Sequence, residues 1–134
     1  MKLLLATILL VLTTTASAQS LGTIRSSPYE TNSLSNPYGA GSPYKINGLM
    51  NPYSPYGSPY SNRSWTNPYA TNAPKLYSNG KYRGRLSTNR FAPDSTSNPF
   101  GRYGSKFSPD SINNRFGLGS PYYQHRIYVY GGER

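Results

Sequence analysis

One histidine, four acids and no cysteine are all that this chain of 134 residues offers to acid–base, nucleophilic or metal chemistry. The acids, Glu30, Asp94, Asp110 and Glu133, stand far apart, whereas a metal needs clustered His, Cys, Asp or Glu ligands. Asp110, Asn113 and Asn114 bring oxygen donors close together, but the carboxylate count and the spacing of a calcium loop are both missing. His125 has neither a nucleophile nor a partner carboxylate at a recognisable spacing. No catalytic, metal or cofactor-binding residue is therefore assigned, and a non-enzymatic protein is expected.

Charge points further than catalysis does. Removing Lys2 with the leader described below leaves 13 Lys and Arg against four acids, a surplus of nine. The densest basic group, Lys75, Lys81, Arg83, Arg85 and Arg90, is interleaved with Tyr77, Tyr82 and Phe91. Cations mixed with aromatic rings bind polyanions by counterion release and stacking, so Lys75, Tyr77, Lys81, Tyr82, Arg83, Arg85 and Arg90 are the candidate binding residues. The alternative reading is a charged strand that only discourages edge-to-edge aggregation. Envelope polysaccharide, lipid head groups and nucleic acid are the polyanions such residues can meet, and no motif selects nucleic acid.

The elements that must position these residues are read from turn signals. Lys75-Leu76-Tyr77-Ser78 and Lys81 to Leu86 flank Asn79-Gly80, the strongest short-range signal for a type I′ hairpin. On such a hairpin Tyr77 faces away from Leu76, and strict alternation gives Lys81, Arg83 and Arg85 one shared face. A lone hairpin is marginal in water, so a third strand is needed, and Arg126-Ile127-Tyr128-Val129-Tyr130 supplies the β-formers for it.

Around the hairpin, an Asn, Pro, aromatic pattern recurs at Asn36 to Tyr44, Asn51 to Tyr60, Asn98 to Phe107 and Asn114 to Tyr122. Nine of the 12 prolines precede Tyr or Phe directly. Proline fixes φ and disfavours helix before it, so each copy is expected to turn and to leave its ring at the turn's edge. Asn and Ser close such turns through their side chains, and the Gly after the ring is expected to supply a positive φ. Two related units begin Pro93-Asp94-Ser95 and Pro109-Asp110-Ser111, where each Asp is expected to bond backbone amides two residues on.

At the start, Met1 to Ala18 has a basic residue, an apolar run from Leu3 to Leu12 and a small-residue end, Ala16-Ser17-Ala18. These are the three parts of a secretory signal peptide, with cleavage between Ala18 and Gln19. The run is about half the length that spans a bilayer, so no integral membrane segment is expected after its removal. A secreted or periplasmic protein follows. In the 116 residues after the leader, Leu, Ile, Val and Phe number 15, below the level at which ordering a whole chain is normally offset. The fold class expected is thus a mostly disordered, Pro/Gly/Tyr-rich low-complexity chain with a small hairpin or three-stranded sheet in its C-terminal half. Residues 1–18 are the leader, 19–72 a disordered Pro-Tyr region with Trp65 exposed, and 73–134 the hairpin, two PDS repeats and a final strand.

Between Ala73 and Tyr130 the chain resembles small secreted bacterial proteins carrying PKLYSNGKYRG, PDSTSNPFGRYGS and PDSINN before a short IY-containing end. The resemblance implies compartment and repeat style, and that group has no assigned activity, so no functional residue is carried over. This chain has Arg90, Lys106 and Arg115 where the repeat's own logic puts Pro. The function expected is weak multivalent contact at the cell envelope, with a small β module recognising an acidic partner as the alternative. Mass spectrometry of exported protein should find a chain starting at Gln19; a full-length chain kept in the cytoplasm would overturn the leader assignment.

Overall fold

A computed structural model describes residues 19–24 and 27–131, so the leader 1–18 and its cleavage lie outside the described residues. Four strands form: β1 (Ser20–Ile24), β2 (Lys75–Ser78), β3 (Lys81–Arg85) and β4 (Ile127–Tyr130). They make one antiparallel sheet in the order β1-β4-β2-β3. No helix occurs among the described residues. The hairpin and the final strand fall where the turn chemistry places them, with Asn79 at φ 55° and Gly80 at φ 74°, as a type I′ turn requires.

β1 is a correction to the expected three strands. Its Leu21, Thr23 and Ile24 are β-formers, but Gly22 interrupts them at φ 134° beside a register shift against β4. β3 repeats this device, with Gly84 at φ 104° and a register shift against β2. The next residue, Thr23 or Arg85, then brackets the following turn segment with two backbone bonds. Thr23 N–H donates to Asn32 O at 2.8 Å and its carbonyl accepts from Leu34 N–H at 3.0 Å. Arg85 N–H donates to Asp94 O at 2.7 Å and its carbonyl accepts from Thr96 N–H at 2.9 Å. Leu76 and Val129 pair at the centre of the sheet, so the two edge strands and the two inner strands are related by an internal twofold.

Residues 27–72, expected to be disordered, instead run as consecutive turns closed every three residues. Glu30, Ser33, Asn36, Gly39, Ser42, Lys45, Gly48, Asn51 and Ser54 each donate their N–H to the carbonyl three residues back. The aliphatic count pointed elsewhere because it measures core and misses local bonding. Nineteen times among the described residues a Ser or Asn side-chain oxygen accepts the N–H two residues on. Each turn thereby satisfies its own backbone without a helix or a ladder.

Five of the Asn caps, and two of the Ser caps, do more than hold the next amide. Asn36, Asn51, Asn67, Asn98 and Asn114 accept from the ring residue's N–H through Oδ1 and donate through Nδ2 to the carbonyl six residues back, at 2.8–3.0 Å. Ser54 and Ser61 do the same with one hydroxyl, donating to Gly48 O and Pro55 O, whereas the amide uses separate acceptor and donor atoms. The glycines after the rings act by size and not by positive φ, which among the described glycines belongs only to Gly22, Gly80 and Gly84. A Cβ on Gly101 would sit 2.8 Å from Pro93 O, and one on Gly117 2.8 Å from Pro109 O.

The core is small. Leu21, Leu49, Tyr56, Leu76, Ile127 and Val129 are buried, and Ile24, Leu34, Trp65, Leu86, Ile112 and Tyr123 pack on them. Leu34, Leu49 and Trp65 come from equivalent places in turn segments 15 or 16 residues apart, and Ile112 from a like place further on, each preceded by a buried Ser or Gly. Trp65, expected in solvent, packs on this core and donates Nε1–H to Leu49 O at 2.8 Å. Tyr56 is turned inward, its ring so close to Gly131 that a Cβ there would lie 2.5 Å from Cε1. Replacing Asn114 by Asp keeps the acceptor for Phe116 but takes the donor away from Ser108 O and sets a carboxylate against that carbonyl. Urea unfolding should show a loss of at least about 1 kcal/mol, and Asn114→Ala, which lacks both groups, should lose stability too. Equal stability of all three proteins would mean the Asn amide holds nothing.

Candidate binding surface

Two surfaces hold the aromatic and basic side chains. The first is the face of the sheet that carries Tyr77, Tyr82, Tyr128 and Tyr130. Tyr77 meets Tyr82 and Tyr130 edge-on, each at 5.7 Å between ring centroids, and Tyr82 meets Tyr103 at 5.5 Å. These rings pack edge-on against one another and each is half-buried, so the face is partly covered by its own tyrosines.

The cations of this face are less free than their number suggests. Arg83 pairs with Asp110 at 2.8 Å, and Arg85 with Asp94 at 3.2 Å. Tyr82 Oη–H donates to Asp94 at 2.7 Å, and burial, helped by that carboxylate, pushes the phenol well above its ordinary value. Arg102 joins Arg83 on Asp110 at 2.7 Å, and its hydrogen bond holds the Asp110 carboxyl below the usual carboxylate range. Both Asp side chains thus take arginines, in charge-assisted bonds that are the stronger kind, and the amide expected of Asp94, Thr96 N–H, goes to Arg85 O, while Ser95 and Ser111 cap the next amides, of Ser97 and Asn113. The shared basic strip is also broken: the register shift sets Arg85 opposite Lys75 and Tyr82 opposite Tyr77, whereas Lys81 pairs with Ser78. Lys75 and Lys81 stay on the hairpin without an ion pair among the described residues, and Arg90 lies beyond the sheet in the turn Asn89 to Phe91.

The second surface is the set of turns. Tyr29, Tyr38, Tyr44, Tyr53, Tyr60, Tyr69, Phe91, Phe100, Phe107, Phe116 and Tyr122 each occupy the third place of a capped turn and are 87–95% exposed. Eleven apolar rings are thus held in solvent at the same place of their turns. Their backbone is fixed by Pro or by the cap, and a ring has few rotamers to lose, so contact costs little ordering. Sequence reasoning found this edge placement in the Pro-aromatic pairs but left Phe100, Phe107 and Phe116 out of the candidate site, since their cations are spread along the chain.

A hollow of about 810 Å³ beside Leu118 and Ile127 contains Glu30, His125 and Arg126. Arg126 donates to Glu30 from both terminal nitrogens, at 2.6 and 3.1 Å, and that bond holds the Glu30 carboxyl below its usual range. His125 stands edge-on to Tyr123 at 5.6 Å. Glu30, Asp94 and Asp110 are therefore all spent on arginines, and no helix among the described residues is long and apolar enough to cross a membrane. Comparison with protein-family models, curated proteins and solved structures finds no match.

Glu30 and Asp110 have lowered carboxyl pKa values in the folded state, so their stabilisation is present above the ordinary carboxylate range and is lost as pH falls through it and below. The melting temperature should fall between about pH 5 and pH 2. Asp110→Asn should flatten that fall, and an unchanged slope would show that the Arg83 and Arg102 bonds are not linked to folding.

Proposed function

We propose that this chain is an exported, non-enzymatic protein that makes weak multivalent contacts with the polymers and surfaces of the cell envelope through rings displayed on capped turns. The observation that carries the reading is the near-complete exposure of eleven Tyr and Phe rings, each at the same place in a turn. A folding chain buries such rings when it has a core for them, and among the described Pro-aromatic turns this chain does so only at Tyr56, within the same Ser-Pro-Tyr pattern. Display of the others supports contact with something outside the chain. Single ring contacts are weak, but many on one scaffold act at high effective concentration, so avidity exceeds any one contact. The apolar leader and small-residue end of Met1 to Ala18 support the compartment.

The alternative, a β module that recognises an acidic partner through the hairpin, has its sheet but not its charge. Arg83 and Arg85 already hold acids of their own, and the tyrosines of the sheet face pack on one another. Lys75 and Lys81 are the hairpin cations left to meet a polyanion.

Sedimentation of the exported protein with isolated cell envelopes tests the reading. Binding should be retained at low salt and should weaken in steps as Tyr38, Tyr53 and Tyr69 are changed to Ala one after another. Changing Lys75 and Lys81 to Gln should matter less. Binding lost wholly with the two lysines and untouched by the tyrosines would favour the hairpin module.

A further inference from the structure

We propose that the turns of residues 89–119 form a docking face for anionic lipid bilayers, in which Phe91, Phe100, Phe107 and Phe116 enter the interface and Arg90, Lys106 and Arg115 meet the phosphates. The inference rests on the envelope-contact reading and names the surface that this part of the chain meets.

Two coordinated changes set these turns apart from those of residues 27–72. Every strongly exposed ring on the earlier turns is a tyrosine preceded by proline: Tyr29, Tyr38, Tyr44, Tyr53, Tyr60 and Tyr69. All four phenylalanines of the chain stand on the later ones, and three of the four have Arg or Lys where the earlier turns have Pro. The turn itself is unchanged. Asn89, Ser105 and Asn114 still accept the N–H of Phe91, Phe107 and Phe116, at 2.8, 3.1 and 3.0 Å. The exchanges therefore alter what the surface presents and leave the device that holds it intact.

The altered side chains adjoin one another. One groove of about 410 Å³ is lined by Arg90, Phe91 and Phe100, and another of about 580 Å³ by Lys106, Phe107, Arg115 and Phe116. A third groove joins them, sharing Arg90 and Pro99 with the first and Lys106 and Asn113 with the second. Four bare rings and three exposed cations thus border one connected surface.

Chemistry selects the partner. Losing the phenol hydroxyl weakens contact with a ligand that offers hydrogen bonds, such as a sugar, and improves contact with hydrocarbon. Adding guanidinium and ammonium groups beside the rings suits phosphate at the head-group level, as on an amphipathic surface segment. Arg90, Lys106 and Arg115 have no ion pair among the described residues, where Glu30, Asp94 and Asp110 are all engaged by other arginines.

Sedimentation of the exported protein with vesicles of phosphatidylcholine, with and without phosphatidylglycerol, tests the proposal. Binding should require the anionic lipid. Restoring the repeat pattern by R90P, K106P and R115P together should weaken it on the order of a hundredfold, roughly fivefold per cation. None of these three residues donates its backbone N–H in the turn bonding, so circular dichroism should stay that of the wild type. Changing the four phenylalanines to Ala should cost at least about tenfold, whereas changing Tyr29, Tyr38, Tyr44 and Tyr53 to Ala should leave vesicle binding nearly as it was. Equal losses from the phenylalanine and tyrosine sets would overturn the proposal. Binding to an acidic polysaccharide or an oligonucleotide without binding to vesicles would overturn it too, the polysaccharide result leaving the envelope reading in place. No binding to any of these, nor to whole envelopes, would end both.

Discussion

A side-chain oxygen bonded to the amide two residues ahead is the interaction on which this protein depends. Each such bond is worth only about 1 kcal/mol, but it costs little loop entropy because donor and acceptor are already neighbours in the chain. Used nineteen times, it lets a chain with few aliphatics satisfy its backbone turn by turn. Five asparagines, with Ser54 and Ser61, add a second reach, six residues back, that ties their turns to one before. Where the chain requires distant partners it falls back on ordinary means: a four-stranded sheet, a small core, and arginine bonds to Glu30, Asp94 and Asp110.

Rings that end on the outside follow from this economy. A capped turn puts its backbone polar groups inward to their partners and its third side chain away from them. Tyr38 and Phe100 are exposed for that reason, and Tyr56 is the exception because the end of β4, at Gly131, offers it a surface. The function proposed here is thus a consequence of how the backbone is satisfied, with the ring type and the residue before it deciding what each part of the surface meets.

Much of the local structure was legible in the residues. Asn79-Gly80 announced its hairpin, Ile127 to Tyr130 its strand, and the Asn-Pro-aromatic pairs their turns. The order of residues 27–72 was not, because composition weighs hydrophobic burial and gives no credit to a Ser or Asn that bonds its own neighbours. Trp65 was misplaced for the same reason: its polar flanks are turn caps, not signs of solvent. β1 was hidden by Gly22, which looks like a break and is a bulge. The basic strip failed at the corresponding Gly84, where the bulge breaks alternation, and at Asp94 and Asp110, whose arginine partners lie 8 to 27 residues away in sequence. The face formed by Phe91 to Phe116 had a visible trace, three cations standing in proline positions, but its connection across two turn segments exists only in the fold.

Amide hydrogen exchange on the ring residues themselves tests the central claim most directly. If the caps hold, the N–H groups of Tyr38, Tyr53, Tyr69, Phe100 and Phe116, each donated to an Asn Oδ1 at 2.9–3.0 Å, should exchange well below the rate of an open chain although their side chains are in solvent. Replacing Asn51 by Ala should release Tyr53 before it affects Phe100. Exchange at open-chain rates across residues 27–72 would contradict the account, since rings on an unstructured segment are not held for contact by anything.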